Sequence, residues 1–375
     1  MKHILLGKSV EEIRELLADL SASTVNSVAD SGVNEGENTN RANTKLPSYL
    51  AKQIAEWIYR KHAVSFDEMT NISAANRLLL NEHFSIGITA PSVTRISKDG
   101  TLKYLFGDVE TVLIPDGERL TLCVSSQAGC KMNCVFCATG KMGFGRNLSA
   151  AEILNQYAFL ASAAGTASMA GMAGGTDDAE ISGGTAGGMA ADSTTAGKTH
   201  YNEADKAAAD KTDNAVAGGS TMGSNATDGK HAITNIVFMG MGEPLDNLSE
   251  VIAALRALTS DWGFALSPRR ITVSTIGIIP ELHRLIEETE CHIAISLHNP
   301  YHEGRLKLMP IEKVYPIEEI IELLTHYDWA HQRKLSFEYV MLGGLNDSPL
   351  HAKTLARLIR DLPCHINLIP YHPHS

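Results

Sequence analysis

The stretch Cys130-Lys131-Met132-Asn133-Cys134-Val135-Phe136-Cys137 follows an apolar segment, residues 120–126, that reads as a β-strand. Its cysteines are spaced C-x3-C-x2-C. Three thiolates in one loop can hold three irons of a cubane cluster and leave the fourth iron open to chemistry. Ligation by four thiolates saturates a cluster for electron transfer. Structural zinc sites draw on two separated ligand pairs, and no second pair exists here. The ferredoxin run C-x2-C-x2-C-x3-C-P does not match either. Cys123 lies inside the strand segment, upstream of the loop.

From residue 120 onward, strand and helix patterns alternate. Strand candidates fall at 120–126, 234–240, 270–275, 292–298, 335–342 and 365–371. Helical spacing fills 150–161, 248–258, 279–287, 317–327 and 350–361 between them. Alternation of this kind predicts a parallel α/β sheet or barrel. Six strands predict a partial (β/α)6 barrel over 120–375, with its site at the C-terminal ends of the strands.

Upstream, 4–20 and 49–60 carry helical apolar spacing, and so does the region near 75–83, predicting a helical module over 1–90. Within it, 21–45 is rich in Ser, Asn, Thr and Gly and reads as a flexible linker. Short alternating segments at 93–96, 103–106 and 110–114 predict a strand meander over 91–119, leading into the barrel. The Ala/Gly/Ser/Thr-rich stretch 162–231 lacks periodic large apolar residues and is expected to be a disordered insertion. As a helix-to-strand connection it falls opposite the strand C-termini, where no catalytic role is expected.

A chain of 375 residues can bury a sizeable core. Six cysteines are too few for a disulfide framework, and thiolate-bound iron implies a reducing compartment. The N-terminus turns acidic too early for a secretory signal, and no run reaches the length of a membrane span. A cytoplasmic protein without a membrane partner is expected. The formal charge of −11 argues mildly against nucleic acid, but 162–231 alone carries nine acids against four lysines. Lys131, Lys141 and Arg146 lie near the cysteines and Arg269 and Arg270 precede a strand, so an RNA substrate is not excluded by charge.

The strand ends carry small polar groups. The second strand ends in Met239-Gly240-Met241-Gly242-Glu243-Pro244, the third in Ser274-Thr275, the fourth in Ser296-Leu297-His298, and the sixth carries Asn367. Glycines let a ligand approach the backbone, and polar groups on several strands suit one polar ligand across the barrel mouth.

The cysteine triplet and the glycine-rich strand end resemble the radical S-adenosylmethionine superfamily. The longer strings Leu-Cys-Val-Ser-Ser-Gln-Ala-Gly-Cys, Phe-Cys-Ala-Thr-Gly-Lys-Met-Gly-Phe, Met-Gly-Met-Gly-Glu-Pro-Leu, Ile-Ser-Leu-His and Ile-Asn-Leu-Ile-Pro resemble the RlmN family. So does the N-terminal Ala-Lys-Gln-Ile-Ala-Glu-Trp-Ile-Tyr, which fits that family's helical RNA-binding module. The resemblance spans nearly the whole chain except 21–45 and 162–231.

That resemblance implies a methyltransferase acting on carbon 2 of an adenine in 23S rRNA and in certain tRNAs, through a methylcysteine intermediate. It implies a 4Fe–4S cluster on Cys130, Cys134 and Cys137, with S-adenosylmethionine held by Gly242, Glu243, Ser274, Ser296, Leu297, His298 and Asn367. Glu110 matches the family's acid/base position, and Cys123 the thiol that resolves a protein–RNA crosslink through a transient disulfide. An electron donor such as flavodoxin and a monomeric state are further expectations. Without the resemblance, Glu110 reads as a solvated strand residue and Cys123 as a buried cysteine.

The family's methyl-carrying cysteine follows the sixth strand in a Gly-Asp/Glu-Asp-Ile-x-x-Ala-Cys-Gly context, which does not occur in these 375 residues. From sequence, the 375 residues alone are expected to bind the cofactors without completing methyl transfer. A cluster- and RNA-binding relative without transfer, and a methyltransferase acting on carbon 8, are the alternatives.

Overall fold

The computed structural model describes residues 2–29, 46–162, 181–182, 233–329 and 333–371. It opens with β1 (His3–Ile4), α1 (Val10–Ala29), α2 (Leu50–Tyr59), α3 (Ala74–His83) and β2 (Phe84–Ser85), with β1 and β2 paired in parallel. α2 buries Leu50, Ala51, Ile54, Ala55 and Ile58, the spacing of a helix apolar along one side. Ile13 and Leu17 of α1 belong to the same core. Tyr59 fastens this module to the rest. Its hydroxyl donates to the Lys8 carbonyl at 2.7 Å, and its ring meets Trp262 and Phe264 edge-on at 5.6 and 5.1 Å.

α1 starts later and ends later than the spacing over 4–20 suggests, so 21–29, expected as linker, are helical. Ser, Thr, Asn and Val, which dominate that segment, are weak helix formers, and this hid the helix from a sequence argument. Residues 30–45 lie outside the described residues.

A ten-stranded sheet follows. β3 (Val93–Ile96), β4 (Leu102–Phe106), β5 (Val109–Asp116) and β6 (Arg119–Cys123) are an antiparallel meander. β4 turns Leu102, Tyr104 and Phe106 to the core and β5 turns Val109, Thr111 and Leu113, the two-residue period of a half-buried strand. β7 (Gln127–Gly129), α4 (Ala138–Lys141), β8 (Phe144–Asn147) and α5 (Ala150–Ala161) come next. Ser149 and Glu152 close a capping box at the start of α5, satisfying amides that a helix leaves unpaired.

Of 162–231, Ser162 ends α5 and β9 (Ile181–Ser182) pairs with β3 at the sheet edge. The rest of that stretch lies outside the described residues, and the expectation of disorder lies there with it.

β10 (Asn235–Phe238), α6 (Leu248–Thr259), β11 (Ile271–Thr275), α7 (Ile279–Glu288), β12 (His292–Ser296), α8 (His302–Leu308), α9 (Ile317–Thr325), β13 (Leu335–Met341), α10 (Pro349–Leu358) and β14 (Cys364–Pro370) complete the chain. β6, β10, β11, β12, β13 and β14 lie side by side, all parallel, in chain order. This is the partial (β/α)6 barrel. The meander does more than lead into it: β5 pairs with β6, so both halves form one sheet. One apolar core joins helical module, meander and barrel. Among the described residues, no helix is long and apolar enough to cross a membrane.

Candidate active site

The cysteine loop leaves the C-terminal end of β6 through a small clamp. β7 and β8 pair antiparallel, and the Cys130 amide donates to the Gly143 carbonyl at 2.9 Å. Gly129 sits at φ +78°, and a Cβ there would lie 2.0 Å from the Gly143 carbonyl oxygen. Only glycine permits the chain to pass. Asn133, at φ +52°, supplies the turn between the first two cysteines, a conformation asparagine tolerates better than most residues.

The Val135 amide then donates to the Leu308 carbonyl at 2.9 Å, tying the loop to the end of α8. Cys130 and Cys134 are buried and Cys137 is half-buried. Cys134 packs with Ile276, Leu308, Met309 and Leu342 in an apolar cluster separate from the main core, flanked by Met132, Phe136 and Cys137. A shell of this kind limits solvent at a metal centre.

Burial pushes the Cys130 thiol up to about 11 and the Cys134 thiol to about 12, each raised further by the neighbouring cysteines. Iron would displace those protons, because metal binding requires thiolates. Cys134 feels the charges of both Cys137 and Cys130, so the three thiols lie near one another in one loop. Three thiolates in one loop with an apolar shell beside them fit a cubane cluster with one iron left open.

Glu243 sits beside this loop at the end of β10, 4% exposed. Its Oε1 accepts from Thr275 Oγ1 at 2.5 Å and from the Leu245 amide at 3.1 Å, and its Oε2 from the Ile276 amide at 3.1 Å. Gly242 has φ +98°, and a Cβ there would meet Gln127 Cβ at 2.5 Å. Gln127 occupies that space: its Oε1 accepts the Glu243 amide at 2.8 Å, while Nε2 donates to Asn147 and Asp246. Asp246 also holds Lys131 of the cysteine loop at 2.6 Å.

Burial raises the Glu243 carboxyl from 4.5 to about 7, against the three hydrogen bonds that lower it. The folded protein thus keeps a proton that the unfolded chain releases. That contribution to stability is complete below about 4.5 and is lost as pH rises through about 7. Urea unfolding of the iron-free protein should show this decline between those values, and Glu243→Gln should flatten it. An unaltered pH slope in the variant would refute the assignment.

His298 is buried at φ +57°. Its Nδ1 accepts the Val340 amide at 3.1 Å, and burial holds the imidazole neutral, down to about 3. Nε2 therefore carries the ring proton. Phe136 of the cysteine loop meets the ring edge-on at 4.7 Å. Asn346 fixes the backbone here, donating to the His298 and Val340 carbonyls at 2.6 and 2.7 Å.

Ser274 is half-buried on β11, and Ser296 lies beside Glu338 in the β12–β13 register. Leu297 is buried. Asn367 donates from Nδ2 to Glu338 Oε2 at 2.7 Å.

The structure thus gathers Cys130, Cys134, Cys137, Glu243 and His298 at one end of the barrel and links Ser296 and Asn367 through Glu338. It places Glu110 differently. The Glu110 carboxylate is exposed and paired with Lys103 at 3.2 Å, while its amide donates to Met241 Sδ at 3.4 Å. Cys123 lies on the adjacent strand, its thiol pushed up to about 11 by burial. All six cysteines are free, so the disulfide expected of Cys123 is not formed in this structure.

Residues 43–86 match the family model described as the ribosomal RNA large subunit methyltransferase N-terminal domain, and residues 225–354 match the radical SAM superfamily. The chain is 43% identical over 332 residues to a probable dual-specificity RNA methyltransferase RlmN of Parabacteroides distasonis, covering 87% of this chain and 77% of that one. This chain belongs to the RlmN family. It is also 37% identical to the Phocaeicola vulgatus protein of the same description, over 99% of this chain and 82% of the relative. A crystal structure of a radical SAM methyltransferase from Sphaerobacter thermophilus superposes with a TM-score of 0.68 at 32% identity, over 99% of this chain and 86% of that one.

Membership in the RlmN family and the radical SAM superfamily brings a 4Fe–4S cluster and S-adenosylmethionine as cofactors. The cysteine loop precedes the segment that matches the superfamily model, and its own geometry is what fits the cluster. Sequence reasoning missed Gln127, Arg305, Glu312, Glu338 and Asn346. Gln127 stood inside a quoted family string. The others carry no spacing signal, because their partners come from other strands and loops.

Proposed function

We propose that this RlmN-family chain serves methylation of carbon 2 of an adenine in 23S rRNA and in certain tRNAs, supplying the cluster loop, the cofactor site and the RNA module, while the methyl-carrying cysteine motif is not among its 375 residues. The observation that carries the reading is the C-x3-C-x2-C loop, with Cys130 and Cys134 buried, at the mouth of a six-stranded parallel barrel, in a chain whose N-terminal module matches a ribosomal RNA methyltransferase domain. When bound, the cluster and S-adenosylmethionine supply reductive, radical chemistry that an electron-poor aromatic carbon requires.

This chain's residues do the holding. Cys130, Cys134 and Cys137 would ligate iron. Gly242, Glu243, Ser274, Ser296, Leu297, His298 and Asn367 would hold S-adenosylmethionine. Glu243 has three donors already, and a carboxylate offers about four acceptor sites, leaving room for a single further donor such as the cofactor's amine. His298, neutral and with Nε2–H as its proton, would act as a donor. Cys123 stays protonated at neutral pH, so a base must take its proton before it can act as a nucleophile. Glu110, on the neighbouring strand, is the proposed acid/base. The module over 1–90 would meet RNA, the meander over 91–119 would carry Glu110, and the protein would work as a monomer reduced by a flavodoxin-like donor.

Deleting the gene in its source organism tests this directly. Mass spectrometry of 23S rRNA and tRNA fragments should show loss of 2-methyladenosine, restored by the intact gene. Retention of that nucleoside, or loss of a carbon-8 methyl instead, would overturn the assignment.

A further inference from the structure

Glu338 stands at the centre of the residues proposed to hold S-adenosylmethionine. Its backbone carbonyl accepts the amides of Leu297 and His298 at 3.0 and 3.2 Å. Its Cα is the ladder partner of Ser296 on one side and of Asn367 on the other. Its side chain takes the Asn367 amide at 2.7 Å. Four of the seven proposed cofactor residues therefore touch or flank this one residue. Neither the cysteine spacing nor the strand-end strings single it out.

The carboxylate itself is under-supplied. Glu338 is 5% exposed, and among the described residues its side chain has, besides Asn367, one further donor, Ser336 Oγ at 3.4 Å. An ionised carboxylate accepts at about four sites, and leaving such sites dry costs free energy. Burial accordingly raises its pKa, opposed by Asn367 and Ser336. Glu243, the other acid at the strand ends, has three good donors. Of the two, Glu338 has more acceptor capacity left for further donors.

S-adenosylmethionine offers three kinds of donor: the methionyl ammonium, the two ribose hydroxyls and the adenine amino group. The methionyl amino and carboxylate groups would chelate the open iron held by the loop that follows β6. Glu338 is on β13, separated from β6 by β10, β11 and β12, on the side left for the adenosyl half once the methionyl end is held at the loop. Two oxygens of one carboxylate match two neighbouring hydroxyls, whereas an adenine amino group brings a single nitrogen.

We infer that Glu338 is a further cofactor-binding residue, its carboxylate accepting hydrogen bonds from the ribose diol of S-adenosylmethionine while it holds Asn367 in place. This rests on the proposed roles of Ser296 and Asn367. It predicts discrimination in favour of a ribose with both hydroxyls.

The test is equilibrium binding to the cluster-loaded protein, without reductant so that the ligand survives. Hydrogen bonds to a charged group contribute about 1.5–3 kcal/mol, so Glu338→Gln should weaken S-adenosylmethionine binding about 10- to 100-fold. Binding of the 2′,3′-dideoxy analogue should be weak and equal in wild type and variant. Unchanged affinity for S-adenosylmethionine, or an equal loss for both ligands, overturns the inference, the latter marking a purely structural role. Asn367→Ala run in parallel separates the two readings. If it loses affinity while Glu338→Gln does not, only Glu338 is misassigned; if neither loses affinity, the proposed cofactor site is wrong as well. Iron content and thermal unfolding check integrity, and Glu338→Asp replaces the Gln variant, under the same criteria, should that fail to fold.

Discussion

Cys134→Ala should leave anaerobically reconstituted protein with less than one iron per chain, against about four for the wild type. Three observations make this the largest expected effect. Cys134 is buried and packed against Ile276, Leu308, Met309 and Leu342. Its loop is pinned on both sides, by Cys130 to Gly143 and by Val135 to Leu308, so no other residue can swing in. Cys123 lies back on β6, Cys291 precedes β12, and Cys364 is the first residue of β14. Two remaining thiolates cannot hold a cubane that needs three. Iron and sulfide assays with the visible absorption spectrum measure the outcome, and a variant retaining a full cluster would remove Cys134 from the ligand set. The fold should survive, since truncating a side chain in a small satellite cluster costs far less than global stability.

Glu312→Ala should cost about 3–5 kcal/mol of stability, out of the roughly 5–15 kcal/mol typical of a domain. Arg305 and Glu312 are both fully buried and paired with each other. Arg305 Nη2 also donates to the Ile276 and Ser296 carbonyls at 3.0 Å each, bracing the ends of β11 and β12. Removing Glu312 strands a guanidinium inside the protein, and desolvation already pulls the Arg305 pKa down. The expected readout is a large drop in urea midpoint with little change in slope. Replacing both residues with methionine should recover much of the loss, because no charge is then left unpaired. A Glu312→Ala midpoint close to wild type would mean that water reaches Arg305.

The barrel was legible from residue 120 onward because each strand there is a short apolar run between turn residues, with an amphipathic helix behind it. All six parallel strands lie within a few residues of the expected limits. The helix over 21–29 was not legible, since Ser, Thr, Asn and Val, all weak helix formers, dominate it. The short pair β7–β8 was hidden too, because Gln127-Ala128-Gly129 has no strand pattern of its own. The fit of Gly129 against Gly143 creates that pair.

What the amino-acid order alone determined is the chemistry carried by near neighbours. Three thiols within eight residues must share a loop, so their spacing specifies a cluster with an open iron wherever that loop goes. The tertiary structure decided everything assembled across strands. It closed Glu243 with donors from β11, set Arg305 against Glu312 beneath the cysteine loop, and placed Glu338 between Ser296 and Asn367. The reason is burial. A carboxylate or guanidinium in water has no preferred partner, and only removal from solvent by distant parts of the chain makes its few remaining contacts specific.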